Sequence, residues 1–79
     1  MYTYDQILKI KNDLNDLIPL LEARGLPVIA EGEHISEHIK QYDVVLEQIG
    51  KNGICTDSNL CRGFAETEKL LKAINNNVE

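Results

Sequence analysis

Apolar residues recur in the first third of the chain at Ile7, Ile10, Leu14, Leu17 and Leu21. Steps of three and four residues line one side of an α-helix, whereas a half-buried strand would alternate every second residue. The spacing predicts a helix over about residues 3–24. Thr3 is placed to cap it, with Asp5 and Gln6 in the first turn where a carboxylate meets the positive end of the helix dipole. Gly25 suits the left-handed residue that ends a helix, and Leu26 suits the hydrophobic contact that accompanies such a stop. Pro19 lies inside the stripe; it lacks a backbone donor and crowds the carbonyl of Asn15, which predicts a kink near Pro19.

A second stripe, Ile35, Ile39, Tyr42, Leu46 and Ile49, ends at Gly50, and Lys51, Asn52 and Gly53 read as a turn. Pro27 suits a first helical residue, so the preferred span is about 27–49, although Gly32 would be costly inside it and marks a later start near Glu33 as the alternative. The third stripe is Leu60, Phe64, Thr67, Leu71, Ile74 and Val78, predicting a helix over about 57–76 with Asp57 or Ser58 as its cap and Asn75, Asn76 and Asn77 as a fraying end. Short connections force neighbours to run antiparallel, so the expected fold is all-α: a small three-helix bundle, up-down-up, formed by residues 1–79 as a single helical domain. Val45, Leu20 and Leu70 flank the seams and would widen the core. Leu8 and Val44 lie furthest from them and are the candidates for apolar contact with a partner.

Composition narrows this picture. With no Trp and one Phe, the core of this 79-residue chain must be mostly Leu, Ile and Val. The chain is 43% hydrophobic and 27% charged, outside the disordered class. No apolar run nears the roughly 18 residues needed to cross a bilayer, and the start, MYTYDQILKI, lacks the basic and apolar regions of a signal peptide, so a cytoplasmic location without membrane association is expected. Cys55 and Cys61 are too few for a disulfide scaffold; unpaired thiols are expected, with pairing open if the protein is exported. The net charge of −5 disfavours direct nucleic-acid binding, which runs on Lys and Arg, and favours a basic partner.

The sharpest local pattern is H-x-x-E-H at His34, Glu37 and His38. Histidines four apart on a helix can share a metal, and the intervening glutamate can serve as a base, as in inverted zinc-protease motifs. A catalytic site needs a third ligand, which Glu31 or Glu33 could supply, and a cleft that a bundle of this size hardly offers, so the expectation is a solvated face, no cofactor and no catalysis, with metal binding by His34 and His38 as a minor alternative. The set His34, His38, Cys55 and Cys61 has a zinc-finger composition, but five residues between the cysteines do not make a zinc knuckle. No Gly-rich phosphate loop, triad or basic-aromatic interleaving is present. Tyr2 and Tyr4 are expected to pack across the end of the bundle.

Charge distribution is the remaining signal. Between residues 31 and 47 stand Glu31, Glu33, Glu37, Asp43 and Glu47 against Lys40 alone. Such a ridge can steer toward a basic surface and compete with nucleic acid for it. The expected function is a small acidic, non-catalytic protein-protein interaction module: an inhibitor of a nucleic-acid-binding, defence or toxin protein, of the phage anti-defence, antitoxin or bacterial immunity type. It would cover a basic surface on a larger protein, using the acidic residues with Val44 and Leu8. A self-associating helical adaptor, with a homodimer as its unit, is the alternative.

Overall fold

The computed structural model describes residues 1–30 and 32–78, with side chains described as far as Ile74. In chain order the elements are β1 (Tyr2–Thr3), α1 (Tyr4–Ala23), β2 (Ile29–Ala30), β3 (Glu33–His34), α2 (Ile35–Ile49), β4 (Ile54–Cys55) and α3 (Ser58–Val78). Among the described residues the fold is mostly helical, built on three helices with two small two-stranded ladders.

Helix α1 begins on a capping box. The Thr3 hydroxyl accepts from the Gln6 amide at 3.2 Å while the Thr3 amide donates to the Gln6 side chain at 2.8 Å, satisfying two orphan donors at once. It ends on a Schellman pair: Leu26 N–H donates to the Leu21 carbonyl and Gly25 N–H to that of Glu22, with Gly25 at φ +67. Leu26 is half exposed and lies outside the core cluster. Pro19 lies within the helix, whose span runs on to Ala23.

The second helix starts eight residues later than the preferred span. In place of a helix from Pro27, β2 and β3 pair antiparallel, Ile29 opposite His34 and Ala30 opposite Glu33, with Gly32 at φ +80 between them. A left-handed glycine cannot sit inside a right-handed helix, and this decides against the early start. Helix α2 is capped instead by His34, whose Nδ1 accepts from the Ser36 amide at 3.2 Å. After Gly50 a turn closes with Gly53 N–H donating to the Gly50 carbonyl at 2.9 Å and leads into β4. Strand β4 pairs with β1 (Tyr2 opposite Cys55, Thr3 opposite Ile54), which returns the chain to the start of α1. Asp57 then accepts from the amides of Asn59 and Leu60 and so caps α3.

The three expected helices are present and these ladders are added to them, each too short for two-residue alternation to register in the sequence.

The core collects Ile7, Ile10, Leu14 and Leu17 from α1, Ile35, Tyr42, Val45 and Leu46 from α2, Cys55 from β4, and Phe64 and Leu71 from α3. All three seams are represented, although Leu60 is more than a third exposed and Leu21, Ile39, Ile49 and Ile74 are half-buried. Val45 is buried as expected, but Leu20 and Leu70 are exposed and do not widen the core. Tyr2 meets Phe64 and Glu68, while Leu17 and Leu20 line a depression with Leu71 and Ile74, so α3 lies along α1 in the same direction. Among the described residues, no helix is long and apolar enough to cross a membrane.

Tyr2 carries a pH-dependent contact. Its hydroxyl donates to the Glu68 carboxylate at 2.5 Å, and its pKa is pushed up from 10.0 to about 12, first by that hydrogen bond, then by burial and by the Glu68 charge. A folded pKa above the unfolded one means the contribution is complete below pH 10 and is lost as pH rises through about 12. Urea unfolding of wild type and Tyr2→Phe across this range is expected to show the wild type losing its advantage between those values. Curves that fall in parallel would remove the Tyr2–Glu68 contact as the cause.

Candidate functional site

The helical period sets what α2 offers to solvent. Its inward positions, Ile35, Tyr42, Val45 and Leu46, leave Glu37, Lys40, Val44 and Glu47 on the opposite side, and these four are exposed. Val44 stands 53% exposed with Lys40 and Glu47 one turn to either side, an aliphatic side chain framed by charge.

The predicted acidic ridge is only partly assembled there. Glu33 is exposed but belongs to β3, outside the helix that carries Glu37 and Glu47. Glu37 pairs with Lys40 at 3.3 Å, and Asp43 pairs with Lys11 of α1. Exposed pairs of this kind contribute about 0–1 kcal/mol and leave the carboxylates reachable, yet they offset charge that composition alone presents as free. Glu47 and Glu33 have no ion-pair partner among the described residues. Glu31 lies outside the described residues. Leu8, expected as an exposed anchor, is half-buried against the core cluster, because α1 is covered on that flank as well as along its seam.

The histidines have local duties. His34 lies just outside α2, and its Nδ1 both caps the helix and sits 2.8 Å from the Ser36 hydroxyl. His38 is inside α2, and its Nε2 donates to the Ala30 carbonyl at 2.8 Å, tying the helix to the β2–β3 ladder. The H-x-x-E-H pattern therefore does not sit on one helix face. Cys55 and Cys61 are free thiols beyond the far end of α2. At 1.5 Å per residue, about 15 Å of helix separates them from His38, which takes apart the His34, His38, Cys55, Cys61 set. Among the described residues, no three or more His, Cys, Asp or Glu side chains converge.

Several polar ties leave no trace in a one-dimensional pattern. Tyr42 donates to the Thr67 hydroxyl at 2.8 Å, and Thr67 donates to the Gly63 carbonyl at 3.0 Å, linking α2 to α3 where the seam stripe contains a threonine. An open depression between β2 and α3 is lined by Ile29, Ala30, Glu66, Lys69, Leu70 and Ala73. Ile29 (58% exposed) and Leu70 give it an apolar floor, where the sequence pattern places Ile29 in a helix and Leu70 beside the core; the left-handed Gly32 is the available signal for the ladder that forms it. Comparison of the chain with protein-family models, with curated proteins and with solved structures finds no match.

Proposed function

We propose that the chain is a non-catalytic interaction module that covers a basic surface on a larger protein with the outer face of α2. The observation that carries this reading is Val44, half exposed between Lys40 and Glu47, with Glu37 and Asp43 on the same helix and Glu33 just before it. An aliphatic anchor with a carboxylate rim suits a binding surface: burial of the anchor supplies affinity and the rim supplies steering and register. An inhibitor of the antitoxin, immunity or anti-defence type, acting on a nucleic-acid-binding or toxin protein, fits this surface, since occupying a basic groove blocks the phosphate backbone without imitating its chemistry. The reading takes the helices as an up-down-up bundle, α1 bent near Pro19, in a cytoplasmic protein.

The test is capture of a basic partner from the native host or its phage target by the wild-type chain. A Glu33, Glu37, Glu47→Gln variant and Val44→Asp are run in parallel, each shown to fold by circular dichroism. Stoichiometric retention by the wild type, released by salt and lost in both variants, is expected. Retention indifferent to salt and to all four positions would end the acidic-face mechanism.

A second reading, a self-associating helical adaptor, draws on the exposed Ile29 and Leu70 beside α3. It requires a dimer whose melting temperature rises with protein concentration. Sedimentation as a monomer at high concentration would remove it.

A further inference from the structure

The turn from β4 into α3 brings the chain's two cysteines together. Cys55 is buried on β4, held by the pairing of that strand with β1. Cys61 lies in the first turn of α3, where its amide donates to the Asp57 carbonyl at 2.9 Å. Asp57 also caps the helix through the amides of Asn59 and Leu60, so the short segment between the cysteines is fixed by three hydrogen bonds. Within this frame the Cys61 thiol donates to the Cys55 carbonyl at 3.4 Å. Burial chiefly pushes the Cys55 thiol up in pKa. Neither cysteine belongs to the acidic face proposed above.

We infer that Cys55 and Cys61 form a dithiol modification site that takes a small-molecule disulfide as oxidant and closes to an intramolecular disulfide within the folded chain. Cys61, the half-buried member, is the entry point. Its thiolate attacks one sulfur of the oxidant, forming a mixed disulfide and releasing one thiolate, which takes up a proton. The Cys55 thiol then loses its proton, and its sulfur attacks Sγ of Cys61, forming the protein disulfide and expelling the second small thiol. One disulfide is consumed, two small thiols are released, and the protein loses two hydrogens. Closure would link β4, held by its pairing with β1, to the start of α3, held by the Asp57 cap.

The experiment treats the native full-length chain with oxidised glutathione, quenches with acid and reads intact mass and free thiols, beside the same treatment in denaturant and beside Cys61→Ser and Cys55→Ala. The folded wild type is expected to lose two hydrogens and both free thiols with no retained glutathione and no linked chains, and to close at least tenfold faster than in denaturant. Cys55→Ala is expected to accumulate a glutathione adduct on Cys61, the trapped first step. Cys61→Ser is expected to stay unmodified while folded, because Cys55 is covered. Should Cys55→Ala not fold, the order of attack is read instead from which cysteine carries the transient adduct in wild type. A persistent mixed disulfide on folded wild type, cross-linked chains, or closure in denaturant only would overturn the inference.

Discussion

Replacing Phe64 with Ala is expected to remove about 3–5 kcal/mol of folding stability, the range for truncating a buried phenylalanine. Phe64 is 2% exposed and, among the described residues, is one of two that α3 contributes to the buried core, Leu71 being the other. Its ring meets Tyr2 edge-on at 5.3 Å and Tyr42 at 5.0 Å, so one side chain joins β1, α2 and α3. Edge-on pairs add about 0.5–1.5 kcal/mol each beyond the area they bury. A chain of this size has a total stability near the low end of the usual range of about 5–15 kcal/mol, so the loss approaches the whole. Urea denaturation followed by circular dichroism checks this, with Phe64→Leu as the comparison. Leucine keeps most of the volume but neither ring contact and is expected to cost about 1–2 kcal/mol. A Phe64→Ala loss well short of that range, no larger than the Phe64→Leu loss, would mean that α3 is not anchored through this ring.

Helix positions are legible because each helix buries one stripe. Ile7, Ile10, Leu14 and Leu17 recur at helical spacing and all lie in the core, and the Thr3 cap and Gly25 stop are encoded within a few residues of where they act. The start of α2 misleads for an equally local reason: Pro27 fits a helix N-terminus, and only the left-handed backbone at Gly32 shows that the chain turns back first. The β1–β4 ladder depends on residues more than fifty positions apart, and no periodicity in a single chain records that pairing. Leu20 and Leu70 look like core positions because place on a helix gives the direction a side chain takes but not how far the neighbouring helix extends to cover it.

The candidate site is less legible than the fold. Which carboxylates crowd one segment is a property of sequence, but whether they are free depends on tertiary neighbours: Lys11, on a different helix, answers Asp43. The two histidines show the same limit. A motif spelled within five residues straddles a helix boundary, and a boundary displaced by eight residues changes a shared face into a cap and a tether. Val44 keeps its expected exposure because its own helix turns it away from the core, whereas the exposure of Leu8 depends on what else packs beside α1.

Gly53→Ala is expected to be the most damaging change at an outwardly tolerant position, costing about 2–3 kcal/mol, toward the upper end for overpacked sites. A Cβ at residue 53 would stand 1.9 Å from the Ile49 carbonyl oxygen and 2.6 Å from its carbonyl carbon. Both are backbone atoms at the last turn of α2, so no side-chain rotation relieves the overlap and the turn itself must open. Opening it breaks the Gly53–Gly50 hydrogen bond and withdraws β4 from β1, which carries buried Cys55 out of the core. Gly63 provides the opposite control: it lies inside α3, and a Cβ added there would meet nothing within 4 Å, so Gly63→Ala is expected to stabilise the chain by about 0.5–1 kcal/mol through helix propensity. The two variants add the same methyl group to the same residue type, so urea midpoints moving in opposite directions would isolate the close approach at Ile49 as the cause. Midpoints that moved together would show that residue 53 is not pressed against the end of α2.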